Sequence, residues 1–312
     1  MSVEPGLIPQ KGYVYVVAAA IMWAVSGTSG KFLFNQGVTP LQLVQLRVTL
    51  SAAFLFLVLI VKPGLLKISP GDILYFAVLG ISGLAMVIFS YFYAISKINV
   101  SVAILLEYLA PVFIAIYYSF FAPEKLTRIT LLAIVLSVSG CCLAVGIHNV
   151  NLLALNRRGI AAGVLSGLAY AWYAIYGERG MRRYDPWTVV FYAFLFASLF
   201  WNIALEPFGA FRVRYTGVQW FWVIYIVVFG TAVPYGLYTT GISLIRSTRA
   251  SVAATVEPIA AAFIAWIFLG EHLDLLQITG GALVIASVII LQLRREYDDT
   301  TSSLIRQKAE SC

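Results

Sequence analysis

Three charged side chains interrupt long apolar stretches of the sequence: Arg47, Glu107 and Glu257. If these stretches are membrane-spanning helices, a rise of about 1.5 Å per residue places Arg47 and Glu107 roughly 10 Å from the same face. Charges inside a bilayer are costly and call for a partner or a function. We expect Arg47 and Glu107 to meet, either as a structural ion pair or capping contact that stabilises the first half, or with Glu107 as a coupling or gating carboxylate.

Glu257 has the same two interpretations, a structural role or a coupling role. No basic residue lies within its own apolar stretch. Arg246 and Arg249 precede that stretch at the same end. They are therefore the basic residues expected to reach Glu257.

Three prolines lie within apolar stretches. A proline removes the helical hydrogen bond to the carbonyl four residues earlier, and such weakened helices are tolerated beside other helices or a cavity. Each proline is interpreted either as a simple kink or as a hinge. The freed carbonyls are those of Glu107 for Pro111, Gly230 for Pro234 and Ala254 for Pro258.

Aromatic and small polar residues share helix faces in three of the stretches. Interfacial aromatic residues, such as Trp220, lie near the ends of membrane spans, whereas these aromatic residues lie deeper. They either pack against lipid and neighbouring helices or line a cavity for an organic ligand with a polar head. The candidate binding residues are Trp23, Ser26, Gly27, Tyr170, Tyr173, Tyr235 and Tyr238.

The composition excludes a soluble protein. Hydrophobic residues make up 61% of the 312 residues and charged residues 11%, against roughly 45–50% and about 25% in soluble domains. A membrane β-barrel would need alternating segments of about 10 residues, whereas the apolar runs here are long. The net charge of +7 comes from basic residues scattered through connections, so no nucleic-acid partner is expected.

No chemistry of the enzymatic kind is indicated. The three cysteines have no metal or disulfide spacing, and no cofactor or metal is expected. The two histidines, His148 and His272, lie in connections between apolar stretches. We therefore do not expect an enzyme.

Ten membrane spans of about 20 residues are predicted. Fourteen of the 21 basic residues fall on one side of the alternating connections and six on the other, with Arg47 inside a span. Because basic residues favour the cytoplasm, both termini are predicted to be cytoplasmic. The predicted spans are 13–34, 41–61, 73–95, 100–121, 127–147, 159–178, 187–206, 219–241, 250–269 and 274–293.

The chain also repeats itself. Ser101–Ala115 and Ser251–Ala265 share eight of fifteen positions without a gap, including the glutamate. Trp23-Ala24 and Tyr170-Ala171 give a weaker match. We predict two five-helix halves, residues 1–150 and 151–296, followed by a polar cytoplasmic tail at 297–312. Because five is odd, the second half enters the membrane inverted, an architecture that places a substrate site near the midplane.

The motifs resemble the EamA-type branch of the drug/metabolite transporter superfamily over roughly residues 12–293. One difference is Ala24, where members often have glycine. The resemblance implies an all-α polytopic membrane protein whose ten transmembrane helices form two inverted five-helix repeats, and export or exchange of small metabolites, usually amino acids and related compounds. The matching pieces are Trp23–Lys31 (WAVSGTSGK), Thr39–Arg47 (TPLQLVQLR), Glu107–Pro111 (EYLAP) with Pro123-Glu124, and Glu257-Pro258-Ile259 with Gly270-Glu271.

These observations predict a multi-pass, monomeric transporter of the cell membrane that works by alternating access around a midplane cavity. Phosphorylated cargo would call for several intramembrane cations, and only Arg47 and Lys31 are present. Neutral or zwitterionic cargo is therefore favoured. A nucleotide-sugar or other anionic metabolite exchanger and a non-transporting scaffold remain as alternatives. Transport is either coupled to protons through Glu107 or Glu257, or uncoupled.

Overall fold

A computed structural model describes residues 7–121, 127–147, 156–269 and 274–293. These described residues form helices and connections without a strand. Eight of the helices are long and apolar enough to cross a membrane, and Arg128–Ala144 is a shorter apolar helix. The chain is therefore an all-α polytopic membrane protein. The predicted boundary between the halves at residues 150 and 151 and the tail at 297–312 lie outside the described residues.

The helices follow the ten predicted spans, numbered here in chain order. Two short helices, Pro63–Leu66 and Gly209–Arg212, lie in connections. The spans are Leu7–Asn35 (span 1), Pro40–Leu59 (span 2), Pro70–Lys97 (span 3), Val100–Glu107 and Ala110–Phe121 (span 4), Arg128–Ala144 (span 5), Arg157–Gly180 (span 6), Pro186–Ala204 (span 7), Gly217–Val227 continuing to Ala254 (span 8 and the start of span 9), Val256–Leu269 (span 9) and Leu275–Leu293 (span 10).

The predicted turn at Asn35–Pro40 is present. Gly37 adopts a φ of 86°, a conformation that favours glycine. Thr39 then caps span 2 by accepting a hydrogen bond from the Gln42 backbone, while the Gln42 side chain bonds back to Thr39. This reciprocal pair satisfies two N–H groups that the helix itself cannot. The other predicted turn, Gly270–Leu273, lies outside the described residues.

Spans 4 and 9 are each broken where a proline removes a helical hydrogen bond. The first helix of span 4 ends at Glu107, four residues before Pro111. The first part of span 9 ends at Ala254, four residues before Pro258. In both cases the helix ends at the residue whose carbonyl the proline leaves without its usual partner. Span 4, predicted as one weakened helix, is thus two helices.

The connection between spans 8 and 9 differs from the prediction. Residues 242–249 were expected to link spans 219–241 and 250–269, but the helix runs through them. It turns at a single residue, Arg246, whose φ of 70° and ψ of 161° are not helical. The change of direction is therefore made by one backbone position rather than by a loop.

Spans 3 and 8 share a second irregularity. Each contains a π-helical stretch, Leu79–Ala85 in span 3 and Val228–Ala232 in span 8. The two stretches occupy corresponding places in the two halves. Widened turns of this kind often occur at functional sites, and both stretches lie beside the centre of the molecule.

The helices pack in pairs that join the halves. Span 1 packs against span 8, and span 3 packs against span 6. Span 2 likewise contacts span 7, and span 5 contacts span 10. Exchanging the halves converts the first two pairs into one another, as the inverted repeat requires. The centre of the protein is therefore built from both halves.

Candidate central binding site

A small cavity of about 30 Å³ lies between the halves. It brings together most of the binding residues predicted from the sequence, together with all three intramembrane charges. Tyr173 and Tyr238 are absent from the lining. The cavity is lined by Trp23, Ser26, Gly27, Arg47, Val87, Ile88, Tyr91, Glu107, Tyr108, Tyr170, Tyr235 and Glu257.

Tyr173 and Tyr238 form a layer of aromatic rings behind the lining. The Tyr238 ring centroid lies 5.3 Å from that of Trp23 and 5.4 Å from that of Tyr170. Tyr173 packs edge-on against Tyr235 at 5.7 Å, and its hydroxyl lies 3.3 Å from that of Thr239. Both side chains are almost completely buried. They support the rings that face the cavity.

Trp23 is the centre of this aromatic cluster. Its ring lies 5.2 Å from Tyr235 and 6.5 Å from Tyr170, both in edge-to-face geometry. Such pairs contribute about 0.5–1.5 kcal/mol beyond the area that they bury. The contacts join span 1 of the first half to spans 6 and 8 of the second. Trp23 thus holds one wall of the cavity together.

Gly27 is required by the close approach of span 3. A Cβ placed on it would collide with the Tyr91 hydroxyl. Glycine therefore lets the Tyr91 side chain reach the cavity between spans 1 and 3. Tyr91 was not among the residues predicted from the sequence.

Arg47 is bound by the second half. Its Nη2 donates to the Gly230 carbonyl oxygen at 2.9 Å, and its Nε donates to the Thr231 hydroxyl at 2.5 Å. The guanidinium also lies 4.8 Å above the Phe92 ring. Pro234 has no N–H to donate to the carbonyl four residues earlier, which is that of Gly230. The arginine thus replaces the hydrogen bond that the proline removed.

This arrangement corrects the ion pair expected between Arg47 and Glu107. Both residues line the cavity, but the described residues contain no ion pair between them. The proline-freed carbonyl in span 8 and its neighbouring hydroxyl take two of the donors of the arginine. Arg47 and Glu107 therefore face one cavity without touching.

The two carboxylates are also held across the halves. Ser166 of span 6 donates to Glu107 Oε2 at 2.8 Å, and Tyr108 of span 4 donates to Glu257 Oε2 at 2.8 Å. Each carboxylate is thus bonded by a hydroxyl from the opposite half. All three intramembrane charges accordingly connect the halves.

Span 6 also makes room for the break in span 4. A Cβ at Gly167 would lie 2.8 Å from the Leu106 carbonyl oxygen and 3.0 Å from that of Glu107. The backbone exposed at the break therefore rests directly on Gly167. This contact fixes the height at which the Glu107 side chain meets Ser166.

Arg246, one of the two arginines expected to reach Glu257, has another partner. Arg246 Nε lies 3.3 Å from Glu178 Oε1. Glu178 Oε2 also accepts hydrogen bonds from the Ser247 backbone N–H at 2.8 Å and from the Tyr118 hydroxyl at 3.1 Å. The turn at Arg246 brings that arginine to span 6, where Glu178 lies.

A second, larger cavity lies beside Glu178. It has a volume of about 630 Å³, and none of its lining residues belongs to the central cavity. Tyr118, Glu178 and Arg246 form part of its wall. Charged residues that follow the end of span 6, among them Arg182 and Arg183, also line it.

Sequence reasoning missed several of these groups. Tyr108 adjoins Glu107, and Ser166 lies at helical spacing from Tyr170 and Tyr173, so both lay beside predicted residues. Glu178 is the last residue of the predicted span 159–178, a position where a charged side chain needs no partner within the membrane. Its position after a glycine matches Lys31 in the first half, since Trp23–Lys31 and Tyr170–Glu178 align. That alignment was the signal for its importance.

Four buried polar atoms of residues that line the central cavity have no hydrogen-bond partner among the described residues. They are Trp23 Nε1 and the hydroxyls of Ser26, Tyr91 and Tyr170. Leaving a buried donor unsatisfied costs about 1–3 kcal/mol. Together with two carboxylates and a guanidinium, these groups offer acceptors and donors to a small polar ligand. A volume of about 30 Å³ holds no more than a water molecule or two, so the cavity must widen to admit such a ligand.

Comparison with known proteins agrees with this architecture. A solved crystal structure aligns with 93% of this chain over 98% of its own chain. The TM-score is 0.72 at 18% sequence identity, which establishes a shared fold. An uncharacterized transporter of Archaeoglobus fulgidus is 33% identical over 64% of this chain and 70% of its own. The uncharacterized inner membrane transporter YicL of Salmonella typhimurium is 26% identical over 91% of this chain and 96% of its own length.

The threonine/homoserine exporter RhtA of Salmonella typhimurium is also 26% identical, over 91% of this chain and 92% of its own. The model of the EamA-like transporter family matches twice, at residues 10–146 and 157–293. The two matches coincide with the two sets of five spans that enclose the central cavity. This chain therefore belongs to the EamA-like transporter family, a family of membrane transporters of small molecules.

Proposed function

We propose that this transporter exports or exchanges zwitterionic amino acids or closely related compounds through the central cavity. The observation that carries the proposal is the pairing of acceptors and donors in one cavity that both halves enclose. Glu107 and Glu257 supply carboxylates, while Arg47, Trp23 and Tyr91 supply N–H and O–H groups. A molecule with an ammonium group and a carboxylate matches both sets.

The ammonium group of such a cargo binds between Glu107 and Glu257. Each carboxylate has one oxygen, Oε2, bonded to a hydroxyl of the opposite half, whereas Oε1 accepts no hydrogen bond from the described residues. The two Oε1 atoms are therefore available to an ammonium donor. Hydrogen bonds between charged groups are among the stronger ones in proteins.

The carboxylate of the cargo binds at Trp23, Ser26 and Tyr91. These are three of the four cavity-lining groups with unsatisfied donors, the fourth being the Tyr170 hydroxyl, and a carboxylate is an acceptor-only group when ionised. Arg47 adds a positive charge beside them. The aromatic rings around Trp23 then contact the rest of the cargo. Pro111, Pro234 and Pro258 are the proposed hinges of alternating access, because each lies at a break or a widened turn.

A nucleotide sugar or another anionic metabolite fits less well. Such a cargo calls for cations that are free to bind phosphate, and two of the donors of Arg47 are already bonded to Gly230 and Thr231. The other basic residue considered for such a cargo, Lys31 near the end of span 1, donates to backbone carbonyls of Ile95 and Ile98. The relative RhtA, an exporter of threonine and homoserine by its name, also favours an amino compound.

We further propose that the protein lies in the cell membrane as a monomer with both termini in the cytoplasm. The excess of basic residues on one side supports this orientation. A cysteine placed near Arg182 would then react with an impermeant thiol reagent only after permeabilisation, and one placed near Arg157 would react in intact cells. The reverse pattern would contradict the orientation.

Counterflow in proteoliposomes tests the cargo. Vesicles loaded with an unlabelled amino acid should accumulate the labelled amino acid, and vesicles loaded with a nucleotide sugar should not. Repeating the assay with an imposed pH gradient tests whether protons are coupled through Glu107 or Glu257, since uncoupled exchange is insensitive to the gradient. Accumulation of nucleotide sugars alone would refute the proposal.

A further inference from the structure

Lys31 and Glu178 occupy equivalent positions in the two halves and carry opposite charges. Aligning Trp23–Lys31 with Tyr170–Glu178 pairs Gly30 with Gly177 and places the two charges at the same position. Each follows its glycine near the end of the first span of its half. The inverted repeat therefore puts them at opposite faces of the membrane.

Span 3 shows that the two residues lie at opposite ends of the molecule. Span 3 begins beside the end of span 6, where Tyr184 donates to Asp72 Oδ2 at 2.6 Å. It ends beside Lys31, whose Nζ donates to the Ile95 carbonyl oxygen at 2.6 Å and lies 3.5 Å from that of Ile98. A helix of its length spans roughly 40 Å.

Lys31 holds the end of span 3 and the entry to span 4. The last carbonyls of a helix lack helical partners, and the negative end of the helix dipole favours a cation there. Lys31 supplies both the donor and the charge. Span 1 is thereby fastened to the connection that leads into the broken span 4.

Glu178 binds the corresponding connection of the second half at the other face. Its carboxylate accepts a hydrogen bond from the N–H of Ser247, where the helix resumes after the turn at Arg246. An anion is favoured at this end of a helix. Arg246 and Tyr118 bind the same carboxylate. Span 6 is thereby fastened to the entry of the broken span 9.

The turn that Glu178 holds is strained. Arg246 has a φ of 70° and a ψ of 161°, a region of backbone conformation that is occupied almost only by glycine. Such a conformation persists where surrounding contacts enforce it. The bonds from Glu178 to Arg246 and to the next N–H are contacts of that kind.

The Glu178 cluster belongs to the wall of the larger cavity and not to that of the central one. Tyr118, Glu178 and Arg246 line the 630 Å³ cavity, whereas Tyr108 and Tyr170, on the same spans as Tyr118 and Glu178, line the central one. No lining residue is common to the two. A molecule that passes between the cavities along spans 4 and 6 would meet this cluster.

We propose that Glu178 and Lys31 are the two gate residues of the transport cycle, one at each face. Each locks the entry to the broken span of its half against the first span of that half. Releasing Glu178 opens the central cavity towards the 630 Å³ cavity, and releasing Lys31 opens it towards the opposite face. The proposal rests on alternating access through the central cavity and not on the identity of the cargo.

Cysteine accessibility tests the gates without any cargo. Val87 lines the central cavity, and Val87→Cys in a chain with its native cysteines replaced serves as the reporter. An impermeant maleimide is added to membrane vesicles of each orientation. Glu178→Gln should raise labelling several-fold from the Arg182 end and lower it from the Lys97 end, and Lys31→Met should do the opposite.

Matched controls remove the effect of charge alone. Lys97→Met removes an exposed cation near Lys31, and Glu206→Gln removes an exposed carboxylate, so neither should change labelling. Glu178→Asp and Lys31→Arg keep the charge and should restore the wild-type pattern. A general loss of folding would change labelling from both ends alike. Shifts in the same direction for both gate variants, or no shift, would overturn the proposal.

Discussion

The contact between Gly167 and the break in span 4 gives a prediction with a definite sign. Gly167 and Gly177 lie in the same helix, Arg157–Gly180. Replacing glycine by alanine inside a helix is favourable by about 0.5–1 kcal/mol. At Gly177 the new methyl group would meet Leu79 Cδ1 only at 3.9 Å. We therefore expect Gly177→Ala to stabilise the folded protein by about that amount.

Gly167→Ala should have the opposite effect. Its methyl group would lie 2.8 Å and 3.0 Å from two backbone carbonyl oxygens, which cannot move aside by changing rotamer. Overpacking a tightly packed site costs about 1–3 kcal/mol. After the helical gain is subtracted, the net destabilisation is up to about 2 kcal/mol. The two variants should differ in free energy of unfolding by about 1–3 kcal/mol.

Thermal or denaturant unfolding in a fixed detergent measures this difference. The variants share one helix, one substitution and one background, so detergent effects cancel between them. If Gly167→Ala were as stable as Gly177→Ala, the carbonyls of the break would not rest on span 6. The placement of Glu107 against Ser166 would then be wrong as well.

Three further predictions concern the central site. Trp23→Ala should weaken the affinity for cargo while the protein stays folded, and unchanged affinity in the transport assay would remove Trp23 from the site. Pro111→Ala restores a helical N–H and should lower turnover more than affinity; a wild-type rate would exclude a hinge there. In a double-mutant cycle on unfolding, Arg47→Gln and Thr231→Val should cost less together than the sum of their separate effects, by about 1.5–3 kcal/mol for a hydrogen bond to a charged group. Additive losses would mean that the bond between Arg47 and Thr231 contributes nothing.

Local features of the sequence determined the class of protein and the breaks in its helices. Long apolar runs require membrane spans because an uncharged helix of about 20 residues matches the bilayer. Pro111 and Pro258 indicated where helices would fail, since a proline acts on the carbonyl four residues earlier in its own chain. The breaks at Glu107 and Ala254 lie at those carbonyls.

Partners between distant segments were decided only by the tertiary structure. Nothing in the sequence pattern favours a bond from Arg47 to Gly230, some 180 positions away, over one to Glu107 at a matching depth. The preference arises because Pro234 leaves a buried carbonyl unsatisfied beside Arg47 after the halves pack together. Whether a hydrogen bond forms depends on differences of a few tenths of an ångström in the distance between donor and acceptor. Composition and periodicity carry no information on such distances.

The turn at Arg246 is the clearest case of this limit. The sequence around it contains neither proline nor glycine, and Ile242–Arg249 was expected to be a loop between two spans. The helix instead turns at one residue, and Glu178 of another span binds both sides of the turn. Sequence pattern determined which segments cross the membrane, and packing between the two halves determined which side chains meet, because only packing sets the distances between residues far apart in the chain.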